Sequence, residues 1–181
     1  MLPYKNIKFH VIDASLTQFY VTSDHILHYD LAVNISLTNR DKKTSVLYSY
    51  IDSKSDCYGK DLALVELVPF QQGSMNTTLL RPVFRGQSLF KLRGSDLRRF
   101  TNDQRNGSFR IRIELNLKTK LLYAGGGSSG TRDGTVFCGF LRLPLLGNSS
   151  SSYNNNQTVT GFKTKRCLVV VDGLFTSPLG Y

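Results

Sequence analysis

The chain has 181 residues, 40% of them hydrophobic and only 20% charged, a balance that fills one core and excludes wholesale disorder. Lys and Arg number 23 against 13 acids, a net charge of +10, which points to an anionic partner: nucleic acid, a membrane surface or an acidic polysaccharide. Nine Tyr and eleven Phe, with frequent β-branched residues, lean toward strands.

Residues 7–11 alternate apolar and polar, the pattern of an opening strand. A longer alternation follows. Leu27, Tyr29, Leu31, Val33, Ile35 and Leu37 form one face, and His28, Asp30, Ala32, Asn34, Ser36 and Thr38 the other, so one face packs and the other meets water. After the polar turn 39–43, residues 46–51 read as a strand and 52–60 as a loop carrying Cys57. Residues 61–68 make another apolar strand that stops at Pro69. Thr77–Phe84 restarts it after a Gly-containing connection, and residues 88–92 form a short strand. One helix is expected over 96–104, with Ser95 as N-cap and Gly107 beyond its end.

The clearest strand is 108–122, with Phe109, Ile111, Ile113, Leu115 and Leu117 on one side and Arg110, Arg112, Glu114, Asn116 and Lys118 on the other. A Gly/Ser loop leads into 135–143, a polar tract rich in Ser and Asn follows, and 162–171 is the last strand. Seven or eight strands with at most one short helix imply an all-β fold, an antiparallel β-sandwich of immunoglobulin or fibronectin-III type, in a single domain with its core over 7–171.

Few residues suggest chemistry. Residues 125–130 match both G-x-S-x-G, around Ser128, and G-x-G-x-x-G. Those motifs need a strand–turn–helix elbow or a helix N-terminus, whereas a strand follows here, so a hairpin loop is the expected structure. A hydrolase using Ser128 is a distant third possibility. His10, His25 and His28 lack the spacing of a metal site. No catalytic, cofactor-binding or metal residue is assigned, and no cofactor is expected.

Five N-x-S/T sequons, at Asn34, Asn76, Asn106, Asn148 and Asn156, exceed the roughly two that composition alone would give. If the last two strands form a hairpin, facing residues sum to a constant. Cys138 and Cys167 sum to 305, centred in the Ser/Asn tract, which sets the two opposite each other. A disulfide between them is the expected reading, a pair of reduced, buried thiols is the alternative, and Cys57 is the odd cysteine. Arg110, Arg112, Lys118 and Lys120 lie along one strand face as a candidate anion-binding row. Aromatics among the cations before it invite a nucleic-acid reading, but the sequons imply a compartment without nucleic acid, and none is expected as partner.

Residues 67–79, Leu-Val-Pro-Phe-Gln-Gln-Gly-Ser-Met-Asn-Thr-Thr-Leu, resemble the "PF-x-Q-G-x-x-N-T-T-x-L" pattern of the plant harpin-induced/non-race-specific-disease-resistance-like proteins, whose outer part is a late-embryogenesis-abundant group 2 domain. The strand 27–40 and the basic final strand with Cys167 are similar to that family too. It usually continues with Asn-Pro-Asn where this chain has Asn39-Arg40-Asp41. The resemblance implies a non-enzymatic module on the outer, apoplastic face of the plasma membrane, tethered by an N-terminal helix that this chain lacks. It would act in defence, the hypersensitive response or stress. Acidic cell-wall polysaccharide, acidic lipid or a protein partner are the expected contacts. The alternative is a soluble, intracellular, desiccation-protective relative. No stretch here reaches the about 18 apolar residues of a membrane span.

Overall fold

A computed structural model describes residues 3–146, 162–171 and 174–175. The strands are β1 (Ile7–Val21), β2 (Ile26–Asn39), β3 (Thr44–Cys57), β4 (Lys60–Glu66), β5 (Phe70–Gln72), β6 (Asn76–Leu80), β7 (Val83–Leu89), β8 (Ser108–Tyr123), β9 (Arg132–Pro144), β10 (Lys165–Arg166), β11 (Leu168–Val171) and β12 (Leu174–Phe175). Helix α1 (Gly94–Asn106) lies between β7 and β8. They form two antiparallel sheets. One runs β10-β1-β2-β6, with β7 also on β2, and the other runs β12-β11-β9-β8-β3-β4, with β5 also on β3. The all-β sandwich is the architecture the alternation implies.

Between the sheets lie Leu31, Val33 and Ile35 of β2 and Ile111, Ile113 and Leu115 of β8, all essentially inaccessible to solvent. Their burial is the largest stabilising contribution available to such a fold. The inward sets are those that period 2 separates in the sequence. One end of the core is closed by aromatic rings. Phe100 of α1 packs against Tyr58, Phe90 and Phe109 with ring centroids 5.5–5.9 Å apart, the offset and edge-on geometries that ring quadrupoles favour.

Among the described residues twelve strands, rather than seven or eight, result from breaks and crossings. Thr77–Phe84 is not continuous: Arg81 and Pro82 separate β6 from β7, and both pair with β2. The last strand divides at Cys167, where the chain leaves β1 of the first sheet and joins β9 of the second. The Cys167 N–H donates to the Phe9 carbonyl at 2.9 Å, which holds that crossing.

Residues 52–57 are strand, not loop. Ser53, Ser55 and Cys57 point into the core, and Asp52, Lys54 and Asp56 point to the other side, where Asp52 and Asp56 are still buried beneath their partners on β8. A bulge at Ser49 shifts the pairing with β8 between Tyr48 and Tyr50, so the inward parity changes from even to odd numbers. A two-residue turn at Tyr58-Gly59, both with positive φ, then returns the chain into β4.

The helix starts at Gly94 with Arg93 as its N-cap and no side-chain cap, so Ser95 lies inside the first turn instead of capping it. Its other end is as expected, with Gly107 in the left-handed region at φ 64°. No helix among the described residues is long and apolar enough to cross a membrane.

Candidate functional site

The stretch 70–80 carries the chain from one sheet to the other: β5 pairs with β3 and β6 with β2. Gln72 is buried at the crossing. Its Nε2 points at the Leu37 carbonyl (2.8 Å), the Asn76 carbonyl (3.2 Å) and Thr78 Oγ1 (3.1 Å). Asn39 works from the opposite side, donating from Nδ2 to the carbonyls of Thr44 (2.8 Å) and Gly73 (3.0 Å) and accepting the Asp41 N–H (3.0 Å). The residues that look most like a signature are therefore a clasp, in which buried polar groups satisfy backbone carbonyls at the crossing.

The G-x-S-x-G loop closes the β8–β9 hairpin. Gly126 and Gly127 take positive φ, and Ser129, not Ser128, is the hydrogen-bonded serine: its Oγ accepts the Leu121 N–H and donates to the Gly130 carbonyl. His28 stacks on Tyr20 and His25 occupies the β1–β2 turn, while His10 faces outward on β1. Among the described residues no group of three His, Cys, Asp or Glu is placed to hold a metal ion.

Three sequons can be located. Asn76 and Asn106 are exposed, at the start of β6 and the end of α1, whereas Asn34 is half-buried on the outward side of β2. Asn148 and Asn156 lie outside the described residues. Cys138 and Cys167 are joined in a disulfide, and Cys57 is a buried free thiol. The strands on either side of the bond, β9 and β11, pair with facing numbers that sum to 305. Cys138 is the extra residue of a bulge next to Gly139 (φ 66°), which turns its side chain inward.

Arg110, Arg112, Lys118 and Lys120 do share the outward side of β8, but the structure does not leave them as an open row. Arg112 Nε lies 2.8 Å from Asp56 Oδ2, with its guanidinium 5.9 Å from the Phe140 ring centroid. Arg110 Nε lies 3.0 Å from Asp103 Oδ2, and Arg142 of β9 reaches the same carboxylate at 3.6 Å. Lys118 stands opposite Asp133. Farther along the face, Asp52 accepts from Asn116 (2.8 Å) and Tyr50 (2.6 Å), and that bond pushes the Tyr50 hydroxyl up to about 12.

Unmatched positive charge gathers on the first sheet, at Lys5, Lys8, Arg40 and Arg166, around His10. Burial and then the charges of Arg166 and Arg40 hold Lys8 and His10 below their ordinary values. Alternation could place Lys8 and His10 on one side of a strand. Only the pairing of β10 with β1 brings in Arg166, and no local pattern announces that contact.

A two-sheet sandwich pinned by a crossing clasp and a disulfide is a structural class rather than an activity. No family model matches the chain. Curated proteins of Arabidopsis thaliana do. NDR1/HIN1-like protein 10 is 36% identical over 160 residues, covering 88% of this chain and 68% of that protein. NDR1/HIN1-like proteins 3 and 2 are 30% and 29% identical, over 81% of this chain and 63% and 60% of their own lengths. The chain belongs to the NDR1/HIN1-like family, and it spans only about two thirds of the length of those relatives.

Proposed function

We propose that this chain is the outward-facing β-sandwich of a membrane-anchored plant defence or stress-response protein, and that it works by binding instead of catalysis. The defence and stress assignment comes from the family. The observation that carries the location is the Cys138–Cys167 bond, because disulfides persist in oxidising compartments and are rare in the cytosol. The sequons at Asn76 and Asn106 support the same side, since both lie where a glycan would project into solvent. Binding is favoured over hydrolysis by the position of Ser128, which is exposed in a hairpin loop and not on a strand-to-helix elbow. An acidic cell-wall polysaccharide, acidic lipid or a protein partner would meet this surface, with a membrane segment supplied by sequence beyond this chain.

Surface labelling tests the reading. The full-length protein, expressed in plant protoplasts, should react with a membrane-impermeant amine reagent on intact cells, through lysines of the sandwich. Labelling that requires permeabilised cells would return the protein to the intracellular, desiccation-protective alternative.

A further inference from the structure

Four cations and a histidine meet at one corner of the first sheet. Lys8 and His10 alternate on the outward side of β1, where His10 pairs with Arg166 of β10 on one flank and with Ser36 of β2 on the other. Lys8 stands against Thr38, whose hydroxyl meets that of Thr77 at 3.0 Å. Arg40 follows the end of β2, its N–H bonded to the Asn6 carbonyl at 2.9 Å, and Lys5 precedes β1. Neighbouring strands lie about 4.8 Å apart and side chains on one strand face about 6.5–7 Å apart. The charges are therefore spaced at only one or two such steps.

Among the described residues none of the five is ion-paired with a carboxylate, whereas Lys54, Arg110, Arg112 and Arg142 of the second sheet are. The second sheet thus pairs several of its own charges, whereas the carboxylate at this corner, Asp41, is taken up by Asn6 Nδ2 (3.2 Å) and the Lys43 N–H (2.8 Å). Like charges held together destabilise the folded chain, and burial first, then the charges of Arg166 and Arg40, lower the proton affinity of Lys8 and His10. Stability does not account for the cluster, and an anion seated on it would relieve the repulsion.

The shape of the corner narrows the choice of anion. It is the flat side of a sheet, so it suits an extended chain better than a small enclosed ion. The hydroxyls of Ser36, Thr38 and Thr77 sit beside the cations, ready to bond a hydroxylated ligand. A surface built to enter a bilayer would add projecting aromatic or aliphatic side chains. Here two exposed aliphatic side chains stand at the margin, Leu79 beyond Ser36 on β6 and Met75 beside Asp41, and among the described residues no exposed aromatic ring joins them.

We propose that the corner formed by Lys5, Lys8, His10, Arg40 and Arg166 binds an extended polycarboxylate, an acidic polysaccharide chain lying across β10, β1 and β2. The inference rests on the extracellular reading above and names the face that reading left open. His10 adds a pH dependence. It faces Lys8 on its own strand, Arg166 on β10, Ser36 on β2 and Arg40 beyond the end of β2. Carboxylates arriving on this face favour the protonated imidazole, so binding strengthens as pH falls from 7 to about 5, where uronate carboxylates stay ionised.

The probe is polygalacturonate, titrated into the chain by calorimetry in about 0.1 M salt, where the screening length is about 10 Å. Arg40→Glu with Arg166→Glu alters two exposed side chains, and unchanged thermal melting would verify the fold. This pair should weaken binding at least about tenfold, a difference of about 1.4 kcal/mol. The same charge change at Lys118 and Lys120 should cost several times less, and His10→Gln should remove the gain in affinity at low pH. A larger loss from the Lys118 and Lys120 pair overturns the assignment. So does binding to phosphatidylserine vesicles through Arg40 and Arg166 with none to polygalacturonate. Failure of the parent protein to bind polygalacturonate ends the inference while leaving the surface-labelling result to judge the extracellular reading.

Discussion

The Tyr58 hydroxyl donates to Asp103 Oδ2 at 2.7 Å, and so ties the tip of the β3–β4 hairpin to the buried side of helix α1. Asp103 also holds Arg110 of β8 and Arg142 of β9, so one carboxylate joins four elements. Burial alone would raise its pKa, but the hydrogen bonds from Tyr58 and Arg110 and the charges of Arg110 and Arg142 outweigh burial and hold it below 3.8. Burial is also the main cause that raises the Tyr58 hydroxyl.

Tyr58→Phe should therefore cost about 1.5–3 kcal/mol, the range for a hydrogen bond to a charged group. Asp103→Ala should cost about 3 kcal/mol, the low end for removing one member of a buried ion pair, because both arginines are partly open to water. The pH dependence has a definite sign. A depressed carboxyl contributes stability that is complete above its unfolded value near 3.8 and is lost as pH falls through the lower folded value. Urea midpoints measured between pH 5 and 2 should fall more steeply for the parent than for Asp103→Asn. Parallel curves would show that Asp103 is not ionised against its partners.

The crossing clasp makes a second prediction. Gln72→Glu keeps the side chain's shape but turns an amide donor into an oxygen facing the Leu37 and Asn76 carbonyls. The loss should be at least about 3 kcal/mol at neutral pH, combining lost hydrogen bonds with a buried charge. Gln72→Ala should cost about 2 kcal/mol. Equal denaturation midpoints for the parent and both variants would mean that the crossing is held by something other than this amide.

Legibility in the sequence followed the regularity of the backbone. β2 and β8 were readable because each has one packed side and one wet side, and every second residue reports which. The β9–β11 register was readable because facing residues in an antiparallel pair sum to a constant, and Cys138 and Cys167 marked the sum. β3 beyond Ile51 was not. Its outward Asp52 and Asp56 look like loop residues until Asn116 and Arg112 of β8 are seen to meet them. The bulges at Ser49 and Cys138 also reverse the alternation midway, which a strict period cannot follow. The basic row on β8 was visible as charge, but the carboxylates that pair with Arg110 and Arg112 come from α1 and β3. The cationic corner depends on the contact between His10 and Arg166, which the fold alone makes.

The disulfide closes a loop with a sequence separation of 29 residues. In the chain-entropy picture a loop of that length restrains the unfolded chain by about 3–4 kcal/mol. Cys138→Ala with Cys167→Ala should lower stability by about that amount. Cys57→Ala leaves the bond intact and should act only through packing, since its thiol is buried. A chemical-denaturation series in which the double variant matches the parent would deny the bond a structural role.

The location of this sandwich, on which the proposed function depends, is read most directly by peptide mapping of the protein purified from plant cell membranes, before and after glycosidase treatment. The account predicts a glycan on Asn76 or Asn106, the two exposed sequons of the described residues, and a mass that drops when it is removed. Unmodified asparagine at all five sequons, together with Cys138 and Cys167 recovered as free thiols, would contradict it.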